Sequence, residues 1–118
     1  MANAALFIGY GPIVPGRAQQ ALQVFNEAGQ YYGRLQQQGQ IESFEPVFLE
    51  PHGGELSGFF LLRGDRDKLN RARYSEEFLR LTNRATLVVQ NVGIVSAFEG
   101  EELNRLFQDF QRQASELG

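Results

Sequence analysis

Apolar and polar positions along this chain repeat with two different periods, and the switches between them divide it into strands and helices. Ala5 to Tyr10 is a short run of bulky apolar residues and reads as a buried strand; Gly11-Pro12-Ile13-Val14-Pro15-Gly16 ends it in turn chemistry. From about Gly16 to Gln38 the period changes. Ala18, Ala21, Leu22, Phe25, Ala28, Gly29, Tyr32 and Leu35 recur at helical spacing, and Gly39 supplies a stop. Ile41 to Leu49 predicts a second strand, which Pro46, lacking an N–H for the ladder, assigns to an edge or a bulge. Pro51-His52-Gly53-Gly54 then turns the chain into the strand-like segment 56–62, which ends at Gly64, so these two strands form an antiparallel hairpin. Asp65 is placed to cap a helix through Leu69 and Ala72. Ser75 is placed to cap a second segment carrying Phe78, Leu79, Thr82 and Ala85, with a break near Tyr74. Thr86 to Phe98, rich in β-branched residues, predicts a fourth strand with a bulge at Gly93. A last helix from about Glu101 aligns Leu103, Phe107, Phe110, Ala114 and Leu117 in one stripe.

The order β-α-β-β-α-β plus a C-terminal helix is the split βαβ arrangement of a ferredoxin-like α+β fold. Right-handed crossovers put strands one and three in the centre and strands two and four at the edges, which agrees with Pro46. Alternation places Leu6, Ile8 and Tyr10 with Leu56, Gly58, Phe60 and Leu62 under the helices. The opposite face then carries Ala5, Phe7 and Gly9 beside Ser57, Phe59 and Leu61, with Arg63 at the rim. Both faces are apolar, and one layer of helices covers only one of them. A second copy of the chain is the simplest cover, so Phe7, Phe59 and Leu61 are expected at a homodimer interface. Burying these three and two or three neighbours at about 2 kcal/mol each yields roughly 10 kcal/mol per subunit. Association costs about 4 to 15 kcal/mol.

Composition narrows the classes. At 118 residues the chain predicts one domain, 1–118, and 42% hydrophobic residues with ten Phe and four Tyr exclude a disordered polar chain. A net charge of −3 argues against general affinity for nucleic acid or an anionic membrane. Basic residues gather between Arg63 and Arg84, but Asp65, Asp67, Glu76 and Glu77 interleave with them, the pattern of a solvated helix face. There is no cysteine, which removes disulfides and thiolate chemistry. The start, Met1 to Ile8, shows neither a basic flank nor a long apolar run, so no leader or membrane span is expected and the expected location is cytoplasmic.

The stretch Asp67-Lys68-Leu69-Asn70-Arg71-Ala72-Arg73-Tyr74-Ser75-Glu76-Glu77-Phe78 resembles the kinked second helix of the dimeric α+β-barrel superfamily, with its Ser-x-x-Phe step. The resemblance extends over nearly the whole chain. That superfamily includes antibiotic-biosynthesis monooxygenase-like proteins, muconolactone-isomerase-like enzymes and many proteins of unknown activity. Ala72 stands where several enzyme-like relatives carry a His three residues before the serine. The resemblance implies a homodimer that needs no cofactor.

Candidate chemistry is sparse. Tyr10, Tyr31, Tyr32, Arg63 and Asn91 put polar tips on otherwise apolar elements, and Tyr10, Tyr32, Arg63 and Asn91 are the groups that would orient a small ligand between sheet and helices. Packing with the tip at the surface is the plainer role for each. His52 is the only histidine; with Glu50 and Glu55 beside it, a cation site at the hairpin tip is the most it offers, and an exposed turn residue is the simpler reading. No serine sits in a nucleophile motif. Leu6-Phe7-Ile8-Gly9 resembles the first strand motif of RNA-binding RRM domains, but Ser57 and Leu61 replace residues of the second and the chain is acidic. The expectation is a homodimeric α+β barrel without a demonstrable activity, holding a small apolar molecule or nothing. The alternative is a cofactor-independent monooxygenase or isomerase acting on a small aromatic or polyketide-like compound, and RNA binding comes third.

Overall fold

Two side-chain caps and one glycine set the helix boundaries. The Asp65 carboxylate accepts from the backbone N–H of Lys68 at 3.1 Å and starts α2 (Arg66–Arg73); the Ser75 hydroxyl accepts from Phe78 N–H and starts α3 (Glu76–Thr86). Tyr74 lies at the break between them, as the sequence predicts. α1 (Ala18–Gln37) ends in a Schellman turn around Gly39, at φ +74°, with Gln40 N–H bonded to Leu35 O and Gly39 N–H to Gln36 O. These helices accompany β1 (Ala4–Tyr10), β2 (Ser43–Phe48), β3 (Gly58–Gly64) and β4 (Gly93–Ala97); α4 (Gly100–Leu117) follows. The computed structural model describes residues 4–118, and Met1, Ala2 and Asn3, part of the start read above as leaderless, lie outside the described residues.

The strands form an antiparallel sheet in the order β2-β3-β1-β4, the ferredoxin-like order, with Pro46 on an edge. Register fixes the faces. Leu6 pairs with Leu62 and Ile8 with Phe60; together with Ala28, Tyr32, Leu35, Leu69, Ala72 and Phe78 they form the main core beneath the helices. On the other face Glu45, Leu61, Phe7 and Val95 form one row, flanked by the row Val47, Phe59, Gly9 and Gly93. No element among the described residues is packed over these rows.

Three differences from the sequence reading have local causes. The predicted strand from Thr86 shrinks to Gly93–Ala97, because Thr82 and Thr86 stay helical and turn their hydroxyls onto the carbonyls of Phe78 and Asn83. Val88 to Gln90 instead bond the loop after β1, and Asn91, at φ +55°, makes the turn into β4. Gly93 is no bulge: it sits in regular register opposite Gly9. In α1 the buried stripe is rotated, so that Val24 and Tyr31 point inward while Leu22 is exposed. The rotation follows from α1 packing on both the sheet and α3, with Ala21 and Val24 meeting Val88 and Ala28 and Tyr32 meeting the sheet core. α4 forms where predicted, and none of its residues is buried.

Candidate functional site

Where α1 and α3 splay over the sheet, small side chains leave space. Ala21 and Ala28 of α1 and Ala85 of α3, with the backbone of β1 at Gly9, surround a half-enclosed cavity of about 80 Å³. Its floor is Phe60, with the rings of Phe25 and Tyr32 about 5 Å away (5.0 and 5.1 Å) and Tyr10 at 6.5 Å. Val24, Leu81, Val88, Val89 and Val92 complete an apolar wall, and Phe25, 39% exposed, stands at the rim.

The lining residues that carry a polar side-chain group are Tyr10, Tyr32 and Thr82. Thr82 donates to the Phe78 carbonyl at 3.0 Å and is occupied. Neither tyrosine hydroxyl bonds a protein atom among the described residues, although Tyr32 is only 3% exposed. Burial pushes both phenols above their ordinary pKa, Tyr32 much further, with the neighbouring Tyr31 adding to its shift. Both are therefore neutral hydrogen-bond donors at neutral pH, not bases. Tyr10 is held in place by Gly58: a Cβ there would come within 2.5 Å of the Tyr10 oxygen and 2.7 Å of the Val47 carbonyl.

The remaining candidates lie elsewhere. Arg63 is on the opposite face of the sheet, ion-paired with Glu45 and, at 2.9 Å, with Glu99; both carboxylates hold its guanidinium charged. Asn91 is in the turn before β4, its amide beside Gly11, and does not line the cavity. His52 is spent on its own loop. Its Nδ1 accepts from Gly54 N–H at 3.3 Å, which leaves the proton on Nε2 to be donated to Leu56 O at 2.8 Å. Among the described residues no group of three His, Asp or Glu side chains gathers as a metal site. Tyr31 turns away and shares a hydrogen bond with Ser75 at 3.3 Å.

On the open face, Phe7 and Phe59 lie with ring centroids 5.0 Å apart, and the Phe7 ring covers Gly9 so closely that a Cβ there would meet it at 2.6 Å. Phe7, Phe59 and Leu61 are consequently half-buried within one protomer. Thr82 and the valines of the loop after α3 went unnoticed in the sequence; no motif marks them, and the only available signal was the small residues Ala21, Ala28 and Ala85 on facing helices.

No protein-family model matches the sequence, and no curated protein matches it. Solved structures do match in fold. A dimeric ferredoxin-like protein of unknown function from Bacteroides fragilis superposes with a TM-score of 0.59 at 11% identity, over 81% of this chain and 96% of its own. Another from Jannaschia sp. gives 0.61 at 13%, over 82% and 97%. A mutant of SnoaB, a cofactor-independent oxygenase from Streptomyces nogalater, gives 0.58 at 16%, over 84% and 97%. The chain thus has the ferredoxin-like α+β fold seen in dimeric proteins of unknown function and in oxygenases of the antibiotic-biosynthesis type. Among the described residues no helix is long and apolar enough to cross a membrane.

Proposed function

We propose that the protein is a homodimer that binds a small, largely apolar molecule in the cavity between α1, α3 and the sheet. The observation that carries this reading is a largely apolar lining that includes Tyr10 and Tyr32, two neutral phenols whose hydroxyls bond no protein atom among the described residues. Such a site favours an aromatic ring bearing an acceptor oxygen, which both phenols would address as donors. At about 80 Å³ the cavity is roughly half the ~150 Å³ that holds benzene in an engineered core. One edge of a ring enters, and the rest projects past Phe25. The dimer follows from the uncovered apolar rows of the sheet, and the likeness to proteins described as dimeric supports it.

Binding fits this lining better than turnover. An oxygenase that begins by removing a proton from its substrate would need a group to receive it, and among the described residues the lining has no carboxylate or imidazole.

Phenol and indole, titrated into labelled protein and followed by NMR, should shift the Tyr32, Phe60 and Ala85 signals. Ala85→Leu, which fills the cavity, should abolish those shifts without unfolding the protein. Shifts confined to the surface, or binding that survives Ala85→Leu, would overturn the assignment, while oxygen consumption with a bound phenol would favour the oxygenase. For the dimer, sedimentation should give twice the protomer mass at micromolar concentration, and Phe59→Glu should reduce it to one protomer.

A further inference from the structure

α4 stands apart from the fold that carries it. Its first turn is anchored: Arg66 donates to Glu102 at 2.7 and 3.0 Å and to the Ala5 and Ala97 carbonyls at 2.9 Å, with its guanidinium over Phe98. Beyond Leu103 none of its residues is buried by the described residues, and Leu106, Phe107, Phe110 and Leu117 are 46, 57, 70 and 89% exposed. The radius of gyration, 16.3 Å, exceeds the roughly 13 to 14 Å of a compact chain of this length, and the longest dimension is 53 Å. The helix therefore projects from the body, held at its base. Helices of this length are marginal in water without a packed face.

The size of the sheet face says what covers the stripe. Four strands about 4.8 Å apart and about five residues long present roughly 300 Å² in outline, and the central rings already shield one another. A stable interface takes about 800 Å² from each partner. The sheet alone falls short. α4, at about 1.5 Å per residue, is roughly 27 Å long, and an apolar side about 10 Å wide contributes a strip nearly as large as the sheet face. With the patch of similar size that the partner's arm would cover on this chain, the total comes to roughly 800 Å² per chain, which the sheet alone misses.

We infer that α4 is an arm that docks on a second copy of this chain, so that the interface comprises the sheet face and, from each protomer, the stripe Leu106, Phe107, Phe110 and Leu117. This rests on the homodimer proposed above. Anchoring by Arg66 sets the arm's direction before the partner arrives, which reduces the ordering cost of docking.

The test is sedimentation equilibrium of the full chain carrying Phe107→Glu and Phe110→Glu. Since these side chains are more than half exposed in the single chain, its circular dichroism should keep a folded spectrum, and the dimer dissociation constant should rise at least 100-fold. An unchanged constant overturns the arm while leaving the sheet-face dimer standing, because Phe59→Glu still reports on that face. A wild-type chain that is monomeric at micromolar concentration overturns both. Hydrogen exchange on the unmodified protein gives a second reading. The α4 amides should be protected in the dimer and lose protection on dilution in step with dissociation; protection independent of concentration overturns the inference.

Discussion

Tyr32→Phe tests the central feature of the cavity, a largely buried phenol with no protein partner among the described residues. The substitution keeps the ring contacts with Phe44, Phe60 and Phe78 and removes one oxygen. No side-chain oxygen among the described residues is both fully buried and unbonded, so the Tyr32 hydroxyl keeps contact with water and its removal should change stability at pH 7 by less than about 1 kcal/mol. Alkaline pH sharpens the case. Burial raises the folded pKa above the ordinary value of 10.0, so below pH 10 both states keep the proton and stability is unaffected. Above it the unfolded chain ionises while the folded one does not, and stability falls with rising pH until the folded value is reached. The slope for one proton is about 1.4 kcal/mol per pH unit. Tyr32→Phe should remove most of that decline between pH 10 and 11, and Tyr10, shifted in the same direction but less buried, leaves a smaller remainder. Urea unfolding at pH 7, 10 and 11 measures both effects. A variant destabilised by more than about 1 kcal/mol at pH 7 would show that the hydroxyl has a structural partner, and an unaltered alkaline slope would show that it titrates freely.

Gly58→Ala should cost about 1 to 3 kcal/mol, since the new methyl meets the Tyr10 oxygen and the fixed Val47 carbonyl; urea unfolding will show it, and a neutral result would mean that β2 and β3 separate easily. Arg66→Ala should lower stability by about 3 kcal/mol, because the Glu102 carboxylate, with its side chain 14% exposed, and the Ala5 and Ala97 carbonyls lose their donor. Thermal melts check that, and Arg66→Lys should recover only part of the loss, having no planar fork. Arg84 donates two hydrogen bonds to Glu27, both 2.9 Å, and holds that carboxyl below its ordinary 4.5. With the folded value lower than the unfolded one, the pair stabilises above pH 4.5 and its contribution disappears as pH falls through the lowered value. Glu27→Gln should therefore flatten the acid side of the stability profile, and an identical profile would mean that the exposed pair is screened out.

Elements governed by neighbours in sequence were legible in it. Asp65, Ser75 and Gly39 act within one helical turn, so their capping roles follow from residue type and position. Period-two alternation in Leu6-Phe7-Ile8 and Phe59-Phe60-Leu61-Leu62 assigned each side chain to its face before any pairing was known, and Pro46 marked the edge. The candidate site was legible only in part. Tyr10 and Tyr32 could be singled out as polar tips in apolar elements, as could Arg63 and Asn91, but composition does not distinguish a tip aimed at a cavity from one aimed at an ion pair. Tertiary structure puts Arg63 on the sheet face opposite the helices, within reach of Glu45 and Glu99, while α1, which itself carries Tyr32, meets α3 above Tyr10 through alanines that leave a gap. It also decided that Thr86 ends a helix and does not begin a strand, because the hydroxyl of a β-branched residue is satisfied by the preceding turn. The stripe of α4 shows the division most plainly. Its spacing announces a helix with one apolar side, a property of local geometry, but whether that side meets its own domain depends on where Arg66 aims the helix, and that is set by contacts between residues far apart in the chain.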